Sequence, residues 1–121
     1  MSAPTVFIIE DDIDTREMLG KFLELEGYHV ETASNGQQAI ERLSRGANAC
    51  VIVLDLMMPV MDGWQFRRLQ AADERLARIP TIVVSAAGRE RMSHISADAY
   101  LAKPIDMDEL LSRVSEFCHA V

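Results

Sequence analysis

The chain has 121 residues, enough for one domain with a sizeable buried core and too few for that domain plus a second folded module. Its 12 basic and 19 acidic residues give a net charge of −7, which argues against non-specific binding to nucleic acid or to an anionic membrane surface. No apolar run approaches the length of a membrane span, Met1-Ser2-Ala3-Pro4 does not read as a signal peptide, and no basic patch or helix-turn-helix segment is left over for DNA, so a cytoplasmic protein is expected.

Val6-Phe7-Ile8-Ile9 reads as a first strand, and Glu10-Asp11-Asp12 follows it directly. A first helix is predicted from about Asp14 to Glu26, with Met18, Leu19, Phe22 and Leu23 on its inner face and a stop at Gly27; Asp12 and Asp14 suit its N-terminus. Tyr28 to Ala33 forms the second strand, and Asn35 opens a second helix that carries Ala39, Ile40 and Leu43 and ends near Gly46. Cys50-Val51-Ile52-Val53-Leu54 is rich in β-branched residues and reads as a strand buried on both faces; it delivers Asp55 at its carboxyl end, and Pro59 and Gly63 close the segment. A third helix covers about Trp64 to Ala72, with Arg67 and Arg68 on a solvated face and Trp64 near the acidic loop or packed against its own helix. Pro80-Thr81-Ile82-Val83-Val84 delivers Ser85, and Ala99-Tyr100-Leu101-Ala102 delivers Lys103-Pro104. Between them only Met92 and Ile95 are apolar anchors at helical spacing, so a helix there is short or irregular. The last helix opens with Asp106 and Glu109 at capping-box spacing and buries Leu110, Leu111, Val114 and Phe117. Cys50 and Cys118 are expected as free thiols, and His29, His94 and His119 form no ligand spacing.

Alternating strands and helices imply a parallel sheet covered on both faces, with ligands bound outside the carboxyl ends of the strands. Glu10, Asp11 and Asp55 then converge on one rim. Like charges so close together require a protonated member or a bound cation; oxygen-only ligands favour a hard cation, and a site of two or three carboxylates leaves positions for water and phosphate, as Mg²⁺ prefers. Ser85 adds a neutral hydrogen-bond donor and Lys103 a compact positive charge, the two groups needed to hold a phosphoryl oxygen.

These residues, in this order and spacing, resemble the receiver domains of two-component response regulators over nearly the whole chain, from about Thr5 to Val114. The likeness rests on Glu10 and Asp11, Asp55 within Leu54-Asp55-Leu56-Met57-Met58-Pro59, Asp62-Gly63, Ser85-Ala86, Tyr100 and Lys103-Pro104. It implies a flavodoxin-like, doubly wound five-stranded parallel sheet of order 2-1-3-4-5 with helices on both faces, forming one receiver domain over residues 1–121. It also implies that Asp55 accepts a phosphoryl group from a sensor histidine kinase or histidine phosphotransfer protein. Asp11 would bind Mg²⁺ directly, Glu10 through water, and Asp55 and the Met57 backbone carbonyl would complete the protein ligands. Lys103 and Ser85 would grip the phosphoryl oxygens, and Tyr100 would change rotamer when Ser85 moves, switching a surface for a downstream protein target in a monomer or weak dimer. Such a module is a regulatory phospho-acceptor that catalyses only its own phosphorylation and dephosphorylation.

An alternative is the same module excised from a larger DNA-binding regulator or hybrid kinase. A phosphatase acting on external substrate fits less well, because the position two residues after Asp55, where such enzymes carry a second acid, is Met57. Ser85 and Lys103 are 18 positions apart (103 − 85), shorter than in most receivers by about one helical turn. Met57 and Ala87, both apolar, would leave no polar group to orient an attacking water, so a long-lived phosphorylated state is expected.

Overall fold

A computed structural model describes residues 4–86 and 95–118. Strands β1 (Thr5–Ile9), β2 (His29–Ala33), β3 (Val51–Asp55), β4 (Thr81–Ser85) and β5 (Ala99–Ala102) alternate with helices α1 (Ile13–Leu25), α2 (Gly36–Ser44), α3 (Gly63–Ala72), the single turn α4 (Glu74–Ala77) and α5 (Met107–Phe117). The strands form one sheet in the order β2-β1-β3-β4-β5, and every neighbouring pair is parallel. This is the expected doubly wound architecture. The short or irregular helix expected between β4 and β5, including Met92, lies outside the described residues, as does Ala87.

The period of two in the strands divides the interior into two layers. Phe7, Ile9, Ile52, Leu54 and Val83 pack with Ala39 and Leu43 of α2, Phe66 of α3 and Leu76 of α4. Val6, Ile8, Val51, Val53, Ile82 and Val84 face the other way, against Leu19 and Leu23 of α1 and Leu110 and Val114 of α5. With both faces covered, β3 and β4 are buried along their whole length, which explains their uninterrupted apolar sequences.

The helix starts follow their polar signals. Asp12, Asn35, Asp62 and Asp106 accept from the backbone N–H three residues on, and Asp62 and Gln65 complete a reciprocal capping box. Gly27 and Gly46 take positive φ just beyond α1 and α2. Gly63 is required by close packing instead. A Cβ there would lie 2.7 Å from the Leu56 Cα and 3.0 Å from the Asp55 carbonyl oxygen, so only glycine lets α3 begin directly against the end of β3.

Four expectations change. Met18 is 51 % exposed, because α1 turns Leu19 and Leu23 rather than Met18 to the sheet. Leu111 and Phe117 are only partly buried beside Leu110 and Val114. Arg67 is not merely solvated; its guanidinium reaches a backbone carbonyl 29 residues away. Cys50, just before β3, and Cys118, the C-cap of α5, are joined by a disulfide with Cα atoms 5.6 Å apart, so neither is a free thiol. A separation of 68 residues carries no trace of the docking that brings the end of α5 beside the start of β3.

In the loop after β3, Met61 N–H donates to the Pro59 carbonyl at 2.8 Å across Val60, whose φ is 70°. A two-residue hydrogen bond closed over a positive φ is a strained γ-turn, and a β-branched side chain makes it worse. Val60 is 79 % exposed and gains little from packing in return. Val60→Gly is therefore expected to raise stability by about 1 kcal/mol in urea unfolding; an unchanged or lower midpoint would mean that the turn is unstrained.

Candidate functional site

The sheet order places the ends of β1, β3 and β4 side by side, with the residue after β5 closing the rim. Glu10 and Asp55 are nearly inaccessible, at 2 % and 5 % relative exposure, Ser85 is fully buried, and Asp11 is exposed. Carboxylate oxygens of Glu10, Asp11 and Asp55 lie within 4.8 Å of one another. Lys103 reaches into this group, its Nζ 2.7 Å from Glu10 Oε1 and 3.5 Å from Asp55 Oδ2.

Backbone geometry supports each side chain. Asp55 Oδ1 accepts from the Met57 N–H at 3.3 Å, and Glu10 Oε2 accepts from the Asp12 N–H at the same distance. The Arg16 Nη1 donates to the Glu10 carbonyl at 2.8 Å, a contact that no motif in the sequence announces, although Arg16 falls in the first turns of α1 above that carbonyl. Lys103 is anchored by its own N–H, which donates to the Ser85 carbonyl at 3.0 Å, and it precedes Pro104 across a cis peptide bond. Ser85 and Lys103 are thus tied through the main chain.

The charges in this cluster are unequal. Burial opposes the ionised form of Asp55, and a hydrogen bond to Glu10 and the negative charge of Glu10 push the same way; against the opposing pull of Lys103, the Asp55 carboxyl rises to about 7. Burial also opposes the ionised form of Glu10, but the hydrogen bonds from Lys103 and Asp55 outweigh it and hold its carboxyl below the usual range. Lys103 resists the desolvation that would discharge it, because it faces both acids, and its pKa is raised. Glu10 and Lys103 therefore form the ion pair, and Asp55 is the acid whose ionised form the cluster disfavours. Without a cation, Asp55 is the acid in this cluster that takes up a proton most readily. The donor set also fits Mg²⁺: oxygen ligands only, one of them on an exposed residue, with surplus negative charge.

Tyr100 points outward from β5 and is 42 % exposed. Its hydroxyl donates to the Ile95 carbonyl at 2.5 Å and accepts from the Ala97 N–H at 3.0 Å. Between these two residues, the Ser96 carbonyl accepts from Arg67 Nε and Nη2 at 3.0 and 2.7 Å. The Arg67 Nη1 also holds the Oε1 of buried Gln70 at 2.6 Å, whose Nε2 satisfies the carbonyls of Leu76 and Ile79. Residues 95–97 are therefore gripped from α3 and from β5 at once. Trp64, which follows Gly63 at the start of α3, is partly buried against the core layer that contains Phe66.

Residues 6–115 match the response regulator receiver domain family. Among curated proteins, the chain is 35 % identical over 115 residues to the DNA-binding dual master transcriptional regulator RpaA of Synechocystis, covering 92 % of this chain and 47 % of that protein. The chain thus spans about half the length of the curated relatives it matches. Among solved structures, the signal receiver domain of a signal transduction histidine kinase from Syntrophus aciditrophicus superposes with a TM-score of 0.88 at 30 % identity, covering 95 % of this chain and 89 % of that one. The response regulator TrrA of Thermotoga maritima, solved in complex with Mg²⁺ and BeF, superposes with a TM-score of 0.82 at 28 % identity, covering 94 % and 98 %.

A carboxyl whose pKa rises on folding binds its proton more tightly in the folded state, so the folded state loses stability as pH climbs from the ordinary aspartate range toward 7. In the presence of a chelator, Asp55→Asn is expected to be more stable than the parent by roughly 2 kcal/mol at pH 8, with the difference closing toward pH 4. Equal stability of the two proteins across that range, by urea unfolding, would show that the site imposes no cost on the Asp55 anion.

Proposed function

The chain belongs to the response regulator receiver domain family, and from that premise we propose that residues 1–121 form one receiver that takes a phosphoryl group onto Asp55. The observation that carries the assignment is a single buried carboxylate at the end of the central strand, with Lys103 Nζ 3.5 Å away and the oxygens of Glu10 and Asp11 within 4.8 Å. The donor is a phosphohistidine on a sensor kinase or phosphotransfer protein. An Asp55 oxygen attacks phosphorus in line, its O–P bond forming as the donor's N–P bond breaks.

Asp11, Asp55 and the Met57 carbonyl would be the direct protein ligands for Mg²⁺, with Glu10 acting through water. When bound, Mg²⁺ supplies positive charge that favours the Asp55 anion and offsets the phosphoryl oxygens. Lys103, released from part of its pairing with Glu10, meets a phosphoryl oxygen, and the Ser85 hydroxyl donates to another. The protein is a regulatory acceptor rather than an enzyme of external turnover: it has Met57, not a second acid, two residues after Asp55.

Its output is a changed surface. If Ser85 moves toward the phosphoryl group, Tyr100 can turn inward only by giving up its bonds to Ile95 and Ala97. The outward state is thus stabilised by a segment that Arg67 also holds, and phosphorylation must outweigh that restraint. The surface serves a downstream protein partner, in the cytoplasm, with no direct contact to nucleic acid. The half-length match to RpaA and the close superposition on a kinase's receiver also support the second reading, in which these residues are the regulatory module of a larger DNA-binding regulator or hybrid kinase.

With phosphoramidate and Mg²⁺, intact mass is expected to rise by one phosphate. Asp55→Asn should abolish the adduct, and Lys103→Ala should slow its formation by about 10- to 100-fold. Full labelling of Asp55→Asn would refute the assignment. A separate expectation concerns the restraint on Tyr100: Arg67→Ala and Tyr100→Phe should each tighten Mg²⁺-dependent beryllofluoride binding several-fold, and the double variant should gain no more than one of them alone, because both remove the same hold on residues 95–97. Additive gains would mean that Arg67 acts elsewhere.

A further inference from the structure

The chain contains two cysteines, and they meet. Cys50 immediately precedes β3, where its N–H donates to the Thr5 carbonyl at 2.9 Å. Cys118 caps α5; its N–H donates to the Val114 carbonyl at 2.8 Å and its carbonyl accepts from the Tyr28 hydroxyl at 3.1 Å. The Cα separation of 5.6 Å is the usual one for a disulfide and requires no movement of either backbone. The two residues differ in access. Cys118 is 2 % exposed among Leu110, Val114 and Val51, whereas Cys50 is only partly buried at the edge of that layer.

We propose that Cys50 and Cys118 form a reversible thiol–disulfide site that couples the seating of α5 to a glutathione-class thiol pool. The asymmetry assigns the roles. In the dithiol state the Cys50 thiolate, the sulfur nearer solvent, attacks one sulfur of the external disulfide. A mixed disulfide forms at Cys50 as the external S–S bond breaks and the first thiolate leaves. The Cys118 thiol gives up its proton and attacks the Cys50 sulfur, forming the internal bond and expelling the second external thiolate, which is protonated by water. Two cysteine thiols are oxidised by two electrons, and one external disulfide is reduced to two thiols. Reduction runs the same steps backward, beginning at the Cys50 sulfur because the Cys118 sulfur is shielded.

The bond joins the C-terminal end of α5 to the start of the central strand, the pole opposite the acidic rim. Asp55 lies five residues further along that strand, about 16 Å away at the rise of a parallel strand. Oxidation therefore holds the last turn of α5 against the sheet without touching the carboxylate cluster. In the reduced protein that turn loses the covalent tie and keeps its helix bonds, the Tyr28 hydrogen bond and apolar packing. The site is independent of the phosphoryl reading, since none of its residues belongs to that cluster.

The test equilibrates the full chain in glutathione buffers from fully reduced to fully oxidised, quenches with N-ethylmaleimide and reads intact mass. One transition between two alkylated thiols and none is expected, with little glutathione adduct. Cys118→Ser should accumulate one adduct at Cys50, while Cys50→Ser should take up far less at Cys118. Hydrogen exchange at the amides of residues 114–118 should be at least tenfold faster in the reduced protein, and its melting temperature lower by on the order of 10 °C. Two reactive thiols at every buffer ratio would overturn the proposal by showing that the bond does not form. No reactive thiol in fully reduced glutathione would overturn it by making the bond a permanent brace, and equal adducts on the two single variants would overturn the assigned roles.

Discussion

One ammonium group set between two buried carboxylates governs this structure. Lys103 reaches from the end of β5 to Glu10 at the end of β1 and Asp55 at the end of β3. Two buried acids and one base cannot all be charged without a net deficit, and the cluster favours the Glu10 anion over the Asp55 anion. The residue proposed as the phosphoryl acceptor is thus the one whose anion the resting site disfavours. A divalent cation at these three carboxylates would supply the missing charge, and a metal requirement and the readiness of Asp55 would then have a common electrostatic origin.

The rest of the fold serves that placement. Parallel strands put every carboxyl end on one rim, and the order β2-β1-β3-β4-β5 makes the Asp55 strand central, with β1 on one side and β4 on the other. Covering both faces with helices makes β3 dry along its length, which gives the carboxylate its low-dielectric seat. The close approach of Gly63 to Leu56 fixes the loop that carries Met57, and α3, anchored there, sends Arg67 across to the segment that holds Tyr100. The edge of the site at Gly63 and the hold on the tyrosine segment at Arg67 therefore sit about one turn apart on the same helix.

Four of the five strands and the rim residues were legible because β1, β3, β4 and β5 are each an apolar run cut off by a polar residue with chemistry of its own: Glu10, Asp55, Ser85 and Lys103. Helix starts at Asn35 and Asp106 were readable from capping chemistry, and the starts of α1 and α3 fell one residue ahead of their expected positions. Long-range contacts were not readable. The reach of Arg67 to Ser96 depends on where a distant loop settles, and the Cys50–Cys118 bond on how α5 docks. The turn α4 has four residues, too few to show a period. Nothing in the sequence ranked the protonation of Asp55 against that of Glu10, because the ranking depends on a 2.7 Å contact against a 3.5 Å one.

The central claim is that, of the three clustered acids, Asp55 alone becomes the acyl phosphate. Phosphorylated protein can be reduced with borohydride, which converts an aspartyl phosphate to homoserine, and then mapped by peptide mass spectrometry. The predicted result is homoserine at position 55, with Glu10 and Asp11 unchanged. A reduced product at Glu10, Asp11 or any other acid, or none at position 55 after measured phosphate uptake, would contradict it.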